Sequence, residues 1–105
     1  MIKVSVLYPH AVGAKFDFDY YIEVHMPMSL RLLGDAVRSC SVERGVEGTE
    51  VGSRPAFVAL CHFVCDSRAA FEAAFLPNAA VLQGDMPKYT DIAPIIQFSE
   101  IALTR

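Results

Sequence analysis

The sequence contains no apolar run approaching the roughly 18 to 20 residues that a membrane-spanning helix needs, although 53% of its 105 residues are hydrophobic. It also has no excess of one charge in any region, since 12 acidic and 9 basic residues are scattered along the chain. These absences argue against a membrane protein and against a protein that binds nucleic acid or anionic lipid. A short chain this rich in apolar residues cannot bury all of its apolar surface as a monomer, which predicts self-association.

Motifs for a disulfide, a metal or a dinucleotide are absent as well. Cys61 and Cys65 are four residues apart on a predicted strand, about 13 Å at ~3.3 Å per residue, which is too far for a disulfide. An odd count of three cysteines without CxxC spacing predicts free thiols in a reducing compartment. No HxH, HExxH or GxGxxG motif occurs, so we predict no metal and no nicotinamide or flavin cofactor. The amino terminus runs directly into a strand pattern without a secretion signal, which predicts a cytoplasmic protein.

Apolar residues recur with two different periods along the chain. Alternation of apolar and polar residues predicts strands at 2–9, 36–46 and 94–102, and a nearly continuous apolar run at 56–65 predicts a strand covered on both faces. Spacings of three and four predict a helix at 16–34 and further helices on both sides of Pro77, with Asp17 capping the first helix and Asp66 or Ser67 the next. The order βαββαβ predicts one domain, residues 1–105, with an α+β ferredoxin-like plait of four antiparallel strands and helices on one face. The uncovered face is predicted to be apolar, and pairing two such faces would give a homodimer.

The segment HMPMSLR at 25–31 places an ionisable histidine beside a helix-breaking residue. Pro27 has no N–H for the carbonyl of Glu23, and its ring disfavours helical torsions at Met26, so we predict a bend next to His25. Histidine is the side chain whose ordinary pKa lies near neutral pH, which makes His25 the leading candidate for an acid or a base. The apolar face of this helix is predicted to consist of Tyr21, Val24, Met28 and Leu32, with Leu30 and Leu33 on a neighbouring row.

Three blocks of the sequence together resemble a known family. They are the opening MIKVSVLYP, the FDFDYY of residues 16–21 followed by HMP at 25–27, and the closing MPKYTDIAPIIQFSEI at 86–101. In this order and spacing they resemble the EthD family of dimeric α+β barrel proteins over essentially the whole chain. The family is named after a small protein required beside a cytochrome P450 system for the degradation of ethyl tert-butyl ether. Relatives in the same barrel superfamily include polyketide cyclases, anthrone oxygenases, lactone isomerases and haem-degrading monooxygenases.

The resemblance implies a ligand cavity between the sheet and the helices of each subunit, with the helical histidine of the HMP block facing it. That residue is His25, and the paired tyrosines of the family fall on Tyr20 and Tyr21. The two tyrosines are nearly even candidates for facing the cavity. We favour Tyr20, while Tyr21, four residues before His25, is placed to stack on the imidazole. We expect the ligand itself to contact Tyr8, Met28, His62 and Phe98.

His62, Tyr89 and Asp91 each have a second reading. His62 shares one face of the third strand with Val58 and Leu60, and it can approach His25 only if that face is the helix-covered one. His62 is kept as a ligand-contact candidate, but its place on an apolar strand favours a structural role. Tyr89 and Asp91, which precede the last strand, are predicted to make turn hydrogen bonds, with pocket lining as the alternative.

Two functions are compatible with these residues. The first is a small homodimeric protein that binds an apolar metabolite beside His25 and modifies it by general acid–base chemistry. Cofactor-free isomerisation, cyclisation or oxygenation, in ether-type or aromatic and polyketide-type catabolism, would fit this role. The second is a non-catalytic carrier or accessory protein that hands the same kind of molecule to an oxygenase system. Some family members are labelled reductases, but without a dinucleotide fingerprint this sequence does not support that label.

Overall fold

A computed structural model describes all of residues 1–105. Four strands, β1 (Ile2–Pro9), β2 (Ser39–Arg44), β3 (Phe57–Cys65) and β4 (Ile95–Glu100), form one antiparallel sheet in the order β2-β3-β1-β4. This arrangement confirms the ferredoxin-like plait expected from the sequence. Strand β2 is shorter than the predicted 36–46, because a 3₁₀ turn at Gly34–Ala36 takes up the start of that segment.

The helices pack on one face of this sheet. The first helix consists of α1 (Phe18–Tyr20), a π-helical segment (Tyr21–His25) and α2 (Met26–Leu33); the second helical region holds α3 (Arg68–Phe75) and α4 (Ala79–Asp85). Both predicted caps are present. The Asp17 side chain accepts a hydrogen bond from the Tyr20 amide at 3.1 Å, and the Ser67 hydroxyl accepts one from the Ala70 amide at 3.0 Å. No helix is both long and apolar enough to span a membrane.

The chain accommodates Pro27 differently from the prediction. Met26 keeps helical torsions (φ −67°, ψ −43°), so the expected departure from the helix at this residue is wrong. Instead the turn before Pro27 widens, and the Met26 amide donates to the carbonyl of Tyr21 in a π-type bond. Pro27 itself lies in the first turn of α2, where a missing N–H is tolerated.

The π turn also rotates the buried face of the helix. A π turn inserts one residue relative to a regular α-helix, so inward positions after it move by one. His25, Ser29 and Leu33 are buried where the sequence period pointed to Val24, Met28 and Leu32. Val24 is 46% exposed. The predicted apolar face is therefore correct at Tyr21 and Leu33 and wrong at Val24 and Leu30, while Met28 and Leu32 are only half-buried.

The two faces of the sheet differ in what covers them. Val4, Tyr8, Cys61 and Phe63 point toward the helices and form the core with Tyr21 and Phe71. The opposite face has no covering layer within the chain. Strand alternation places on it the apolar residues Leu7, Val58, Leu60, Val64 and Ile95, together with Lys3, Ser5, Ser41, Glu43, His62 and Gln97.

Candidate functional site

A cavity of about 590 Å³ lies between the sheet and the helices. Its walls come from β1, β3 and β4 on one side and from all the longer helical segments on the other. Sixteen of the 21 lining residues are hydrophobic, so a ligand inside would be held mainly by apolar contacts. The cavity size falls within the range typical of small-molecule sites, roughly 300 to 1,000 Å³.

His25 brings an ionisable group to the wall of this cavity. It is the last residue of the π segment and is only 7% exposed. Its Nδ1 lies 2.9 Å from Oδ2 of Asp85, and its Nε2 lies 3.4 Å from the hydroxyl of Tyr89. A carboxylate can only accept, so Nδ1 carries the hydrogen toward Asp85. In the neutral ring Nε2 is then the unprotonated nitrogen, on the side of Tyr89.

Asp85 is the last residue of α4 and is held in place by more than the histidine. The Tyr20 hydroxyl donates to its Oδ1 at 2.8 Å, and Nζ of Lys88 lies 3.5 Å from the same oxygen. Burial by itself would raise the pKa of Asp85. The hydrogen bonds from His25 and Tyr20 and the nearby positive charge outweigh burial and hold this pKa below its usual value. Asp85 is therefore a stable anion behind the imidazole.

Three tyrosines surround the other side of the imidazole. Tyr21 stacks on it with ring centroids 5.5 Å apart and planes inclined by 14°, and the Tyr89 ring centroid lies at 4.6 Å. The hydroxyls of Tyr89 and Tyr8 are hydrogen-bonded at 2.9 Å. Burial raises the pKa of all three tyrosines, so their hydroxyls stay protonated and neutral. The polar end of the cavity thus offers hydroxyl donors and one basic nitrogen.

The segment before β4 holds Tyr89 against the start of the first helix. The carbonyl of Tyr89 accepts a hydrogen bond from the Asp17 amide at 2.8 Å. The Thr90 hydroxyl donates to the carbonyl of Lys15 at 2.6 Å, and Oδ1 of Asp91 accepts from the Lys15 amide at 2.8 Å. The predicted turn role of Asp91 is confirmed. These bonds fix Tyr89 opposite His25.

The structure brings some of the sequence-predicted residues together and separates others. Tyr8, Tyr21, His25 and Phe98 line the cavity. Tyr20 does not line it, so the preference for Tyr20 over Tyr21 is wrong, although the Tyr20 hydroxyl reaches the site through Asp85. Met28 is also outside the lining, whereas Met26 and Ser29 of the same helix line the cavity.

His62 lies on the wrong side of the sheet for the ligand contact expected of it. It points to the open face, where its Nδ1 is 2.8 Å from the Ser5 hydroxyl and its Nε2 is 3.2 Å from Oε1 of Glu43. The sheet separates it from His25, since side chains of β3 alternate between the two faces. No group of three or more histidine, cysteine or acidic side chains lies close enough together to hold a metal ion.

Two residues of the site were not assigned to it first. Asp85 carries no signal that singles it out, and Tyr89 was predicted to make a turn hydrogen bond with pocket lining as the alternative, which is the role the structure shows. Neither belongs to a periodic pattern, and both meet His25 only through the tertiary fold. Their spacing of four, which places two side chains on the same side of a helical turn, is the one local signal that could have linked them.

Comparison with known proteins agrees with this architecture. The EthD domain family model matches residues 10–93. An EthD-like protein from Ralstonia eutropha has a structure with a TM-score of 0.95 and 48% sequence identity, the match covering 99% of this chain and 94% of that one. No curated protein matches the sequence significantly.

More distant structures share the fold. An ethyl tert-butyl ether degradation (EthD) family protein from Bacillus halodurans gives a TM-score of 0.71 at 20% identity, over 95% of this chain and 97% of that one. A protein from Shewanella loihica described as a candidate monooxygenase gives 0.62 at 10% identity, over 98% of this chain and 95% of that one. The family model covers most of the sequence, and the Ralstonia eutropha protein shares nearly half of its residues with this chain. This chain therefore belongs to the EthD family.

Proposed function

We propose that this protein binds a small apolar metabolite in the cavity and transfers a proton to or from it through His25. One observation carries the proposal. The imidazole lines a mostly apolar cavity while its Nδ1 is engaged by Asp85 at 2.9 Å, which leaves Nε2 as the basic nitrogen. An oriented imidazole in a site sheltered from water is the arrangement that general acid–base catalysis uses.

The proton transfer can be written with named atoms. Nε2 of His25 takes a proton from an acidic O–H, or from a C–H next to a carbonyl, and the electron pair of that bond stays on the substrate as a phenolate or enolate. The protonated Nε2 then returns the proton to a different atom, which completes an isomerisation or assists a ring closure. Asp85 stabilises the imidazolium during this interval, and the Tyr89 hydroxyl can donate to the substrate oxygen. Oxygenation of the same anion would require molecular dioxygen as co-reactant.

Aromatic, phenolic and enolisable compounds fit this chemistry better than ethers do. An ether has no proton that a histidine can remove, so for an ethyl tert-butyl ether-type compound the same cavity supports only binding. In that case the protein is a carrier or accessory that delivers the compound to an oxygenase system. The apolar walls favour this second role for ligands without an acidic proton.

Hydrogen exchange in D₂O tests the proposal without knowledge of the natural substrate. A panel of phenols, 1,3-diketones and cyclic ketones is incubated with the protein, and deuterium incorporation at carbon is followed by NMR. We expect at least one compound to exchange faster than in buffer alone. If compounds that bind the protein all exchange at the buffer rate, the carrier role replaces the catalytic one.

We also propose that two copies pair through the open face of the sheet. This face presents Leu7, Val58, Leu60, Val64 and Ile95 with no covering layer in the single chain. Burying apolar surface of this kind stabilises an interface in proportion to the area removed from water. Only the partner's sheet needs to lie against it, so the cavity on the other face stays intact.

Replacing Leu60 with aspartate is expected to convert the dimer into a monomer. A carboxylate at residue 60 would lose its hydration in the interface and would lie directly opposite the carboxylate of Glu43 on the neighbouring strand. The measurement is the molar mass in solution by light scattering. Val51→Asp, in the loop after β2 at a residue 96% exposed, is the control and keeps the mass of the wild type. A Leu60→Asp protein that remains a dimer would place the interface elsewhere.

A further inference from the structure

The exposed residues of the cavity wall indicate where the cavity reaches solvent. Only three of its lining residues are well exposed, and they belong to three different elements: Leu76 after α3, Gln83 in α4 and Ile96 in β4. Leu76 and Ile96 are 65% and 54% exposed. All three line the cavity and reach solvent, so we assign the mouth of the cavity to these residues.

The mouth and the imidazole belong to different parts of the cavity wall. His25, Tyr8, Tyr21 and Tyr89 contact one another at the polar end, and each is buried. Apolar residues make up most of the remaining wall, including the stacked rings of Phe71 and Phe75. A molecule that reaches Nε2 of His25 from the mouth must therefore pass between apolar walls.

The cavity also has no cation for an anionic ligand. No lysine or arginine lines it, and the only acidic residue in its wall is Glu72, whose carboxylate pairs with Arg68 at 2.6 Å. Behind His25 stands the carboxylate of Asp85. A bound anion would thus be desolvated with a second negative charge close by, which is unfavourable.

We infer that the ligand is an uncharged amphiphile with one weakly acidic hydroxyl, phenolic or enolic, placed at Nε2 of His25 and with an apolar chain that leaves the cavity between Leu76 and Ile96. This inference rests on the proposed function for the assignment of the polar end. It adds that the ligand is uncharged, that it carries one polar group, and in which direction its chain leaves the cavity. In this pose the hydroxyl donates to Nε2 and its oxygen accepts from the Tyr89 hydroxyl. The 3.4 Å contact between those two groups is long enough to be replaced by the ligand.

Calorimetric titration with 4-alkylphenols and 4-alkylbenzoates of increasing chain length tests these features. We expect each added methylene to tighten phenol binding by about fourfold, the equivalent of about 0.8 kcal/mol, until the chain reaches the mouth, beyond which the increments vanish. At neutral pH each benzoate is expected to bind at least about tenfold more weakly than the phenol of equal length. The inference would be overturned if phenols and benzoates bound equally well, or if the affinity kept rising with every methylene added.

A variant at the mouth tests the direction of the chain. Leu76→Trp narrows the opening. It is therefore expected to lower the affinity for long-chain phenols at least about tenfold and to keep the affinity for unsubstituted phenol within about twofold of the wild type. Val81→Trp is the matched control, since Val81 is also exposed, at 54%, but does not line the cavity. It is expected to change neither affinity. Equal loss of short and long phenols in Leu76→Trp would contradict the proposed path.

The outcomes separate this inference from the proposed function. The titrations measure binding alone and need no turnover. Phenols that bind as expected but promote no hydrogen exchange would refute the catalytic role and leave the ligand class standing. Exchange of ketones by His25, together with equal affinity for phenols and benzoates, would refute the ligand class and leave the catalytic role standing.

Discussion

A His25→Gln variant is expected to catalyse hydrogen exchange about 10² to 10⁴ times more slowly than the wild type. This factor is the contribution typical of a positioned general base. Glutamine keeps an N–H group that can reach Asp85 but has no nitrogen that accepts a proton. The hydrogen bond at Asp85 and the packing against Tyr21 and Tyr89 should therefore survive in part, while proton transfer does not. The readout is the exchange rate at saturating concentration of the best compound from the D₂O panel.

Two measurements make this result interpretable. His10→Gln is the matched control, because it makes the same chemical change at a histidine that is not part of the cavity wall, and its rate should equal that of the wild type. Thermal unfolding and phenol affinity of His25→Gln distinguish a chemical defect from a folding defect. A folded, ligand-binding His25→Gln protein with an undiminished exchange rate would remove the imidazole from the mechanism.

An Asp85→Asn variant is expected to catalyse exchange at least about 10² times more slowly than the wild type, even though Asp85 does not line the cavity. The asparagine amide can donate to Nδ1, which favours the tautomer with its hydrogen on Nε2. The nitrogen that faces Tyr89 would then be blocked as a base. Asp85 is thus a positioning residue. Its effect should appear in the catalytic rate far more than in the affinity for phenols.

The same variant should also change how stability depends on pH. The folded-state pKa of Asp85 is lowered, so the unfolded chain binds its proton more readily than the folded chain does. The stabilisation is therefore complete above the ordinary aspartate pKa of about 3.9 and is lost as the pH falls through the lower folded value. Replacing this hydrogen-bonded carboxylate with an amide is expected to cost about 1.5 to 3 kcal/mol at neutral pH, because the hydrogen bonds to the anion are lost. The difference in unfolding free energy between wild type and Asp85→Asn should shrink as the pH drops below about 4.

Urea unfolding at pH 7 and across the acidic range measures this difference. Asp91→Asn is the control, because Asp91 accepts a single backbone hydrogen bond in an exposed loop and does not touch His25. It should neither slow exchange nor change the acid limb of the stability curve beyond a few tenths of a kcal/mol. A difference for Asp85→Asn that stays constant down to strong acid would show that its carboxylate is not held ionised by the site.

Local sequence patterns were sufficient to predict the secondary-structure elements that depend on neighbouring residues alone. Strand β1 follows from alternation, strand β3 from a continuous apolar run, and the helices from their side-chain period. The cap at Ser67 follows from hydrogen bonding between near neighbours. The βαββαβ order then leaves few ways to build the sheet. The histidine was found because its chemistry and its neighbour Pro27 stand side by side in the sequence.

The partners of His25 could not be obtained in this way. Asp85 and Tyr89 are 60 and 64 residues away along the chain, and they reach the imidazole only when the end of α4 and the segment before β4 pack against the first helix. Beyond Tyr21, the face of that helix also depends on a single extra residue in the π turn, which moves the buried positions from Val24 and Met28 to His25 and Ser29. The amino-acid sequence by itself determined the elements, their order and the histidine. Only the tertiary structure decided which carboxylate orients it, which tyrosines face it and on which side of the sheet His62 lies, because these depend on helix phase and on contacts between distant segments.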